Sequence, residues 1–230
     1  GQAIIVASDG SILDGQHRLS AIVKAGVPVE TLLISNISKE AFKTLDDGKK
    51  RNFADVLHIE GVKNANNIAS AIVVFYALKM GYIQKKRSIS PSNNQYLSIF
   101  MDNPEIVNDF PLCAHLYNMS GKLISKSECL GFLYYMKTLN DFSPQWAEAF
   151  WEKVMLGETQ RNSPILHLRS RLTNDIAATN TSKMKTSIRW GLIIKAWNLF
   201  IEEASVKVLR FANGDKFPEI NAPSIPYESA

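Results

Sequence analysis

The sequence predicts an α+β protein in two parts, a small α/β core followed by a larger all-helical domain. Three observations predict it. Short β-branched runs occupy residues 3–35, the apolar spacing turns helical from Asn66 onward, and no strand of comparable strength returns after that point. The expected division is residues 1–61 for the α/β core, 62–216 for the helical domain, and 217–230 for an irregular tail holding Pro218, Pro223 and Pro226.

Within the first part, Ala-Ile-Ile-Val-Ala at residues 3–7 is a short strand, Ser8-Asp9-Gly10-Ser11 supplies turn chemistry, and Ile12-Leu13 resumes the apolar run. That pattern is a β-hairpin. Residues 16–25 place Leu19, Ile22 and Val23 on one helical face, with Gly26 where a left-handed C-terminal cap belongs. The run 29–35 carries Leu32, Leu33 and Ile34 and predicts a buried strand returning to the same sheet, a βαβ-like unit. Ser38 followed by Glu40 and Phe42 predicts a short helix before Asp46-Asp47-Gly48, and Asn52 predicts the cap of another, running through Glu60 and closed by Gly61. The chain opens at Gly1-Gln2 and enters a strand-like run at once, so the core is expected to be incomplete at its N-terminus.

The second part predicts helices over 66–80, 94–101, 104–117, 127–139, 143–156, 163–178 and 182 to about 212. Ser143-Pro144 and Ser163-Pro164 each pair an N-cap residue with proline at the first helical position. Phe75, Tyr76, Tyr96, Phe100, Trp146, Phe150, Trp151, Trp190, Trp197 and Phe200 fall at helical spacing, which assigns them to the core rather than to base stacking. Residues 84–94 are linker-like.

Composition narrows the function classes. In 230 residues, 46% hydrophobic and 21% charged content fits a globular protein, and the 26 Lys and Arg against 22 Asp and Glu leave +4, a balance that tolerates a polyanion without demanding one. Cys113 and Cys129 stand in no metal-ligand spacing, so a buried thiol pair in a reducing compartment is expected, with no structural metal. No apolar stretch spans a bilayer and no secretory pattern opens the chain, so a cytoplasmic protein without a membrane partner is expected.

The chemistry concentrates at Asp14-Gly15-Gln16-His17-Arg18. A glycine between a strand and a helix lets backbone approach an anion, and the first-turn amides of the helix point at it with the positive end of the dipole behind them. His17 and Arg18 add side-chain donors within that turn. The run Asp-Gly-Gln-His-Arg-Leu-Ser-Ala resembles the signature of the ParB/sulfiredoxin superfamily, in the variant of DGQHR-type and phage-type ParB-like proteins. The resemblance covers roughly residues 3–61 and implies a ParB/sulfiredoxin-like α/β fold. It implies further that Gly15 is the family glycine, Arg18 the arginine that contacts phosphate, and Ala21 the small residue packing the helix on the sheet. Gln16 stands where sulfiredoxins have the reactive cysteine, which excludes thiolate chemistry there, and where CTP-dependent ParB proteins have glutamate. Asp46-Asp47-Gly48-Lys49-Lys50-Arg51 is similar to a segment following the motif in phage-type relatives, which implies a second anion-contacting element at Lys49, Lys50 and Arg51.

The expected function is therefore that of a ParB-like DNA-associated protein binding a nucleotide, such as a nucleoside triphosphate with Mg, or a DNA phosphate through residues 14–18. Lys85, Lys86 and Arg87 are candidates for contact with a DNA backbone. Two alternatives stay open. One is an enzyme, a metal-dependent nuclease or nucleotidase of CTPase or ATPase type, using Asp9, Asp14, His17, Asp46 and Asp47. The other is an adaptor in which the core is a scaffold and a protein partner or a second copy is bound.

Overall fold

The computed structural model describes residues 3–38, 52–81, 91–157, 161–179 and 183–228. The fold is mixed α and β and mostly helical, and it divides into two compact units, Gly1–Lys50 and Arg51–Ala230. The expected helix after Ser38 and the linker-like segment fall largely outside the described residues.

In the first unit, β1 (Ile4–Ala7) and β2 (Ile12–Asp14) form the expected antiparallel hairpin, with the Asp9 carboxylate accepting from the Ser11 N–H at 3.0 Å in the turn. Helix α1 (Gln16–Ala25) follows and ends on Gly26, whose positive φ of 62° lets its N–H donate to the Ile22 carbonyl. Strand β3 (Leu33–Ile37) then pairs in parallel with β1, giving the order β2-β1-β3. Asn36, at φ 66°, takes up an extra residue where the register shifts. The burial expected of this strand is not found. Leu33 and Ile34 are 60% and 39% exposed, and Val23 on α1 is 78% exposed, because β3 is an edge strand of a three-stranded sheet and α1 buries none of its residues. Ala21 is exposed too, so it does not pack the helix on the sheet.

The second unit begins earlier than the expected boundary after Gly61. Helix α2 (Phe53–Ile59) is capped reciprocally by Asn52 and Asp55, as the sequence predicts, but Phe53 and Leu57 bury in the helical core. Helices α3 (Ala65–Lys79) and α4 (Asn93–Met101) follow. The segment expected as one helix over 104–117 is a short 3-10 helix (Pro104–Asp109) running into α5 (Phe110–Met119), broken where Pro111 removes an amide donor. Then come α6 (Lys126–Lys137), α7 (Ser143–Leu156), α8 (Pro164–Ala177) and α9 (Thr186–Ile201).

Helix α6 is the hub: Cys129, Leu130, Gly131, Phe132, Leu133 and Met136 are buried, so it is covered on nearly all sides, packing against α3, α5 and α7. Gly131 sets the closest of these contacts, since a Cβ there would lie 2.6 Å from Val74 Cβ and 2.8 Å from the Ala71 carbonyl oxygen. The aromatic residues fill the core as expected: Trp151 and Trp197 are fully buried, Phe150 meets Trp197 edge-on at 5.6 Å, and Phe132 lies 6.1 Å from Trp151.

Caps and charges then fix the helix ends. Ser163 caps α8 as expected, but Ser143 does not cap α7; Asn140 does, its side-chain oxygen accepting from the N–H groups of Phe142 and Ser143 at 3.1 and 3.0 Å. Glu128 accepts a two-point bond from Arg189 and one from the Trp190 indole, tying α6 to α9. Lys137 bridges Asp109 and Glu148 at 2.8 Å each, and although burial alone would lower it, these two carboxylates hold its pKa above the ordinary value.

Helix α9 stops at Ile201 rather than near residue 212, because the chain leaves the helix at Glu203 in the left-handed region, φ 51°. It doubles back so that Phe211 lies on Gly191, where a Cβ would come within 2.4 Å of the ring. The expected irregular tail has no regular structure, yet it is firmly held. The Trp197 indole donates to the Asn221 carbonyl at 2.8 Å, Asn140 to that of Pro223 at 2.7 Å and the Trp146 indole to that of Ile225 at 2.9 Å, while Asn198 donates to the Glu219 carbonyl and accepts from the Asn221 N–H.

Gly131→Ala, which forces α3 and α6 apart, is expected to lower the unfolding free energy by about 1–3 kcal/mol in urea titration. Cys113 and Cys129 are both buried, and burial first, then the neighbouring Cys113, pushes the Cys129 thiol well above the ordinary 9.0. Both thiols are expected to resist a disulfide reagent in the folded protein and to react in denaturant. Stability should be full below pH 9 and fall above it, as the unfolded chain loses thiol protons that the native state retains; urea midpoints measured across pH 8–10 check the sign.

Candidate phosphate-binding site

The sequence places a glycine where β2 must turn into α1, and the local geometry explains why no other residue fits. Gly15 stands at φ 94°, ψ 9°, a left-handed conformation, and a Cβ on it would sit 3.0 Å from Ile4 Cγ1 and 3.3 Å from Ile4 Cα on the neighbouring strand. Ile4 is buried at 3% exposure and Gly15 is buried with it, and these two with Ala7 are the buried residues among the described residues of the first unit. The Leu19 N–H is the first to find a helical acceptor, the Gly15 carbonyl, which leaves the amides of Gln16, His17 and Arg18 outside the helical ladder. Among the described residues no side chain caps the helix and no acidic residue occupies its first turn, so the positive end of the helix dipole there suits an anion.

The five motif residues divide by role. The Asp14 carboxylate accepts from the Gly15 N–H at 2.7 Å, fixing the turn. Gln16 folds back to donate to the Ile12 carbonyl at 3.2 Å, which takes it off the helix end. Arg18, half-buried, donates to the Ala3 carbonyl at 3.1 Å and so ties α1 to the start of β1. His17 is exposed at the first turn. The motif thus builds its own scaffold with Asp14, Gln16 and Arg18, and presents backbone amides and the His17 ring at the helix end.

The other sequence candidates cannot be placed beside it. Lys49, Lys50 and Arg51, with Asp46 and Asp47, lie outside the described residues, as do Lys85, Lys86 and Arg87. Among the described residues no three His, Cys, Asp or Glu side chains come together as a metal site, and Asp9 is engaged in its turn with Ser11. No helix among them is long and apolar enough to cross a membrane.

Sequence reasoning gave no role to the basic residues of the last two helices, and the structure separates them. Arg169 donates from Nη1 to the carbonyls of Val154 and Met155, closing the C-terminal end of α7, and Arg189 holds Glu128. Arg171, Lys183 and Lys185 line a common cavity of the helical unit. Only their clustering in sequence hinted at this.

Comparison with known proteins gives no match: no family model fits the chain, and neither a curated protein nor a solved structure matches it.

Gly15→Ala combines a strained left-handed alanine with contact on Ile4, a pairing that is expected to cost about 1–3 kcal/mol. In amide hydrogen exchange the loss of protection should be confined to β1, β2 and α1, and uniform loss across both units would contradict the assignment of the junction to the first unit alone.

Proposed function

We propose that the chain is a ParB-like DNA-associated protein that binds the phosphate of a nucleotide, or of DNA, at the start of α1. One observation carries the reading: Asp14-Gly15-Gln16-His17-Arg18 stands at a strand-to-helix junction that no side chain caps among the described residues. Phosphate is the natural ligand of such a place, because three N–H groups converge and the helix dipole favours negative charge. The His17 ring and the positive charge of Arg18 would add to the attraction, and Mg would accompany a triphosphate. Lys49, Lys50 and Arg51 extend the proposal as further phosphate contacts.

An adaptor function is the second reading, favoured by the exposed apolar side chains of the first unit. Val23, Val29, Leu32 and Leu33 are 56–78% exposed, and exposed apolar side chains in this number suit a protein partner or second copy.

Calorimetric titration of the full chain with CTP, ATP and a short duplex, each with and without Mg, separates the two. Saturable binding is expected in the wild type, and Arg18→Ala should weaken it roughly ten- to a hundredfold, the loss of a charge-assisted bond. His17→Ala, which breaks no contact within the protein, should weaken it less. Unchanged affinity in an Arg18→Ala protein with native circular dichroism would overturn the phosphate reading, and absence of any binding, with concentration-dependent association, would favour the adaptor.

A further inference from the structure

We infer that the helical unit carries a second, separate anion site, which takes a phosphorylated small molecule of nucleotide size between Arg171, Lys183 and Lys185. The inference stands apart from the motif of the first unit and goes beyond the function proposed for it.

Five basic residues stand within residues 169–189, and two of them are consumed by the fold: Arg169 on the carbonyls of Val154 and Met155, Arg189 on Glu128 and Asp175. The other three are exposed, and their side chains form no ion pair or hydrogen bond among the described residues. They do not point to separate parts of the surface. Arg171 from α8 and Lys183 and Lys185 from the approach to α9 all line one cavity of about 530 Å³, which falls within the range of about 300–1,000 Å³ typical of small-ligand sites.

The balance of charge inside that cavity is what selects the ligand. Among the described residues Asp175 is the one carboxylate of its lining, and it is already engaged, accepting from the Met184 N–H and lying 3.7 Å from Arg189 Nη1. Three cations therefore outnumber the single, engaged carboxylate on one concave surface, an arrangement that concentrates positive potential and attracts an anion of more than one charge. Asn174 and Asn213 add neutral hydrogen-bonding groups to the wall, and Ile188 and Phe211 add an apolar side. A phosphate on the cations with a sugar or base against Ile188 uses every part of this lining. A bare inorganic anion would leave the apolar side idle.

ATP, AMP and pyrophosphate are to be titrated by calorimetry into four full-chain proteins: wild type, Arg18→Ala, the triple variant Arg171→Gln, Lys183→Gln, Lys185→Gln, and the two combined. The Arg18→Ala protein is expected to bind ATP or AMP saturably, and adding the triple substitution should weaken that binding roughly tenfold or more, the loss of at least one charge-assisted bond. All three substituted side chains are exposed, so the unfolding temperature should not move, and this controls for loss of fold. The inference is overturned if the Arg18→Ala protein binds neither nucleotide at millimolar concentration, if the triple substitution leaves affinity unchanged, or if pyrophosphate binds and the nucleotides do not. Failure of the first-unit reading shows itself differently, as an Arg18→Ala substitution without effect on wild-type binding.

Discussion

Between Gly131 of α6 and the pair Val74 and Ala71 of α3 there is no room for a methyl group, and the helical unit is organised around that near-contact of two backbones. Closeness here lets α6 be surrounded: its remaining faces meet α5 and α7, and its last turn carries Lys137 to Asp109 and Glu148. From α6 the order passes outward through Glu128 to Arg189 and Trp190, which fixes α9, and through Phe132 to Trp151, which fixes α7. A dense interior transmits such a constraint because its side chains have few alternative rotamers. The polar links then choose one arrangement among those that apolar contact alone would allow.

The first unit obeys a different rule. It has little buried surface, and its definition comes from hydrogen bonds and one glycine: β1 pairs on both edges, Arg18 reaches back to Ala3, and Gly15 rests on Ile4. The same residues that resemble a ligand-binding motif are thus those holding the unit together. A substitution at Arg18 must be read for both roles, which is why His17, engaged by no described neighbour, is the cleaner probe.

Much of this was legible because it was local. The hairpin followed from β-branched runs around Ser8-Asp9-Gly10-Ser11, the left-handed caps from Gly15 and Gly26, and the starts of α2 and α8 from Asn52 and Ser163. What escaped was set by contacts distant in sequence. The apolar spacing of Leu209 and Phe211 continues the period of α9, and nothing near them tells that Gly191 keeps a slot for the ring, so the helix was expected to run on. Phe53 and Leu57 likewise look the same whether they bury in the sheet unit or the helical one. At the candidate site the motif and its strand-to-helix setting were readable, whereas the carbonyl partner of Arg18 and the convergence of Arg171 with Lys183 and Lys185 depend on chain reversals that no local pattern encodes.

The extended segment after α9 is gripped through its main chain. Trp146, Trp197, Asn140 and Asn198 all bond its carbonyls or an amide, and over residues 219–226 its own side chains are mostly left to solvent, Ile220 packing on the core and Pro223 being buried. A grip of this kind reads the path of a peptide and is nearly blind to its spelling. Over evolutionary time the exposed positions Glu219, Asn221, Ala222, Ser224 and Ile225 are therefore free to drift wherever the backbone geometry survives, while the indoles and amides that hold them are not, so relatives of this protein would be traced more surely by the four holders than by the sequence they hold.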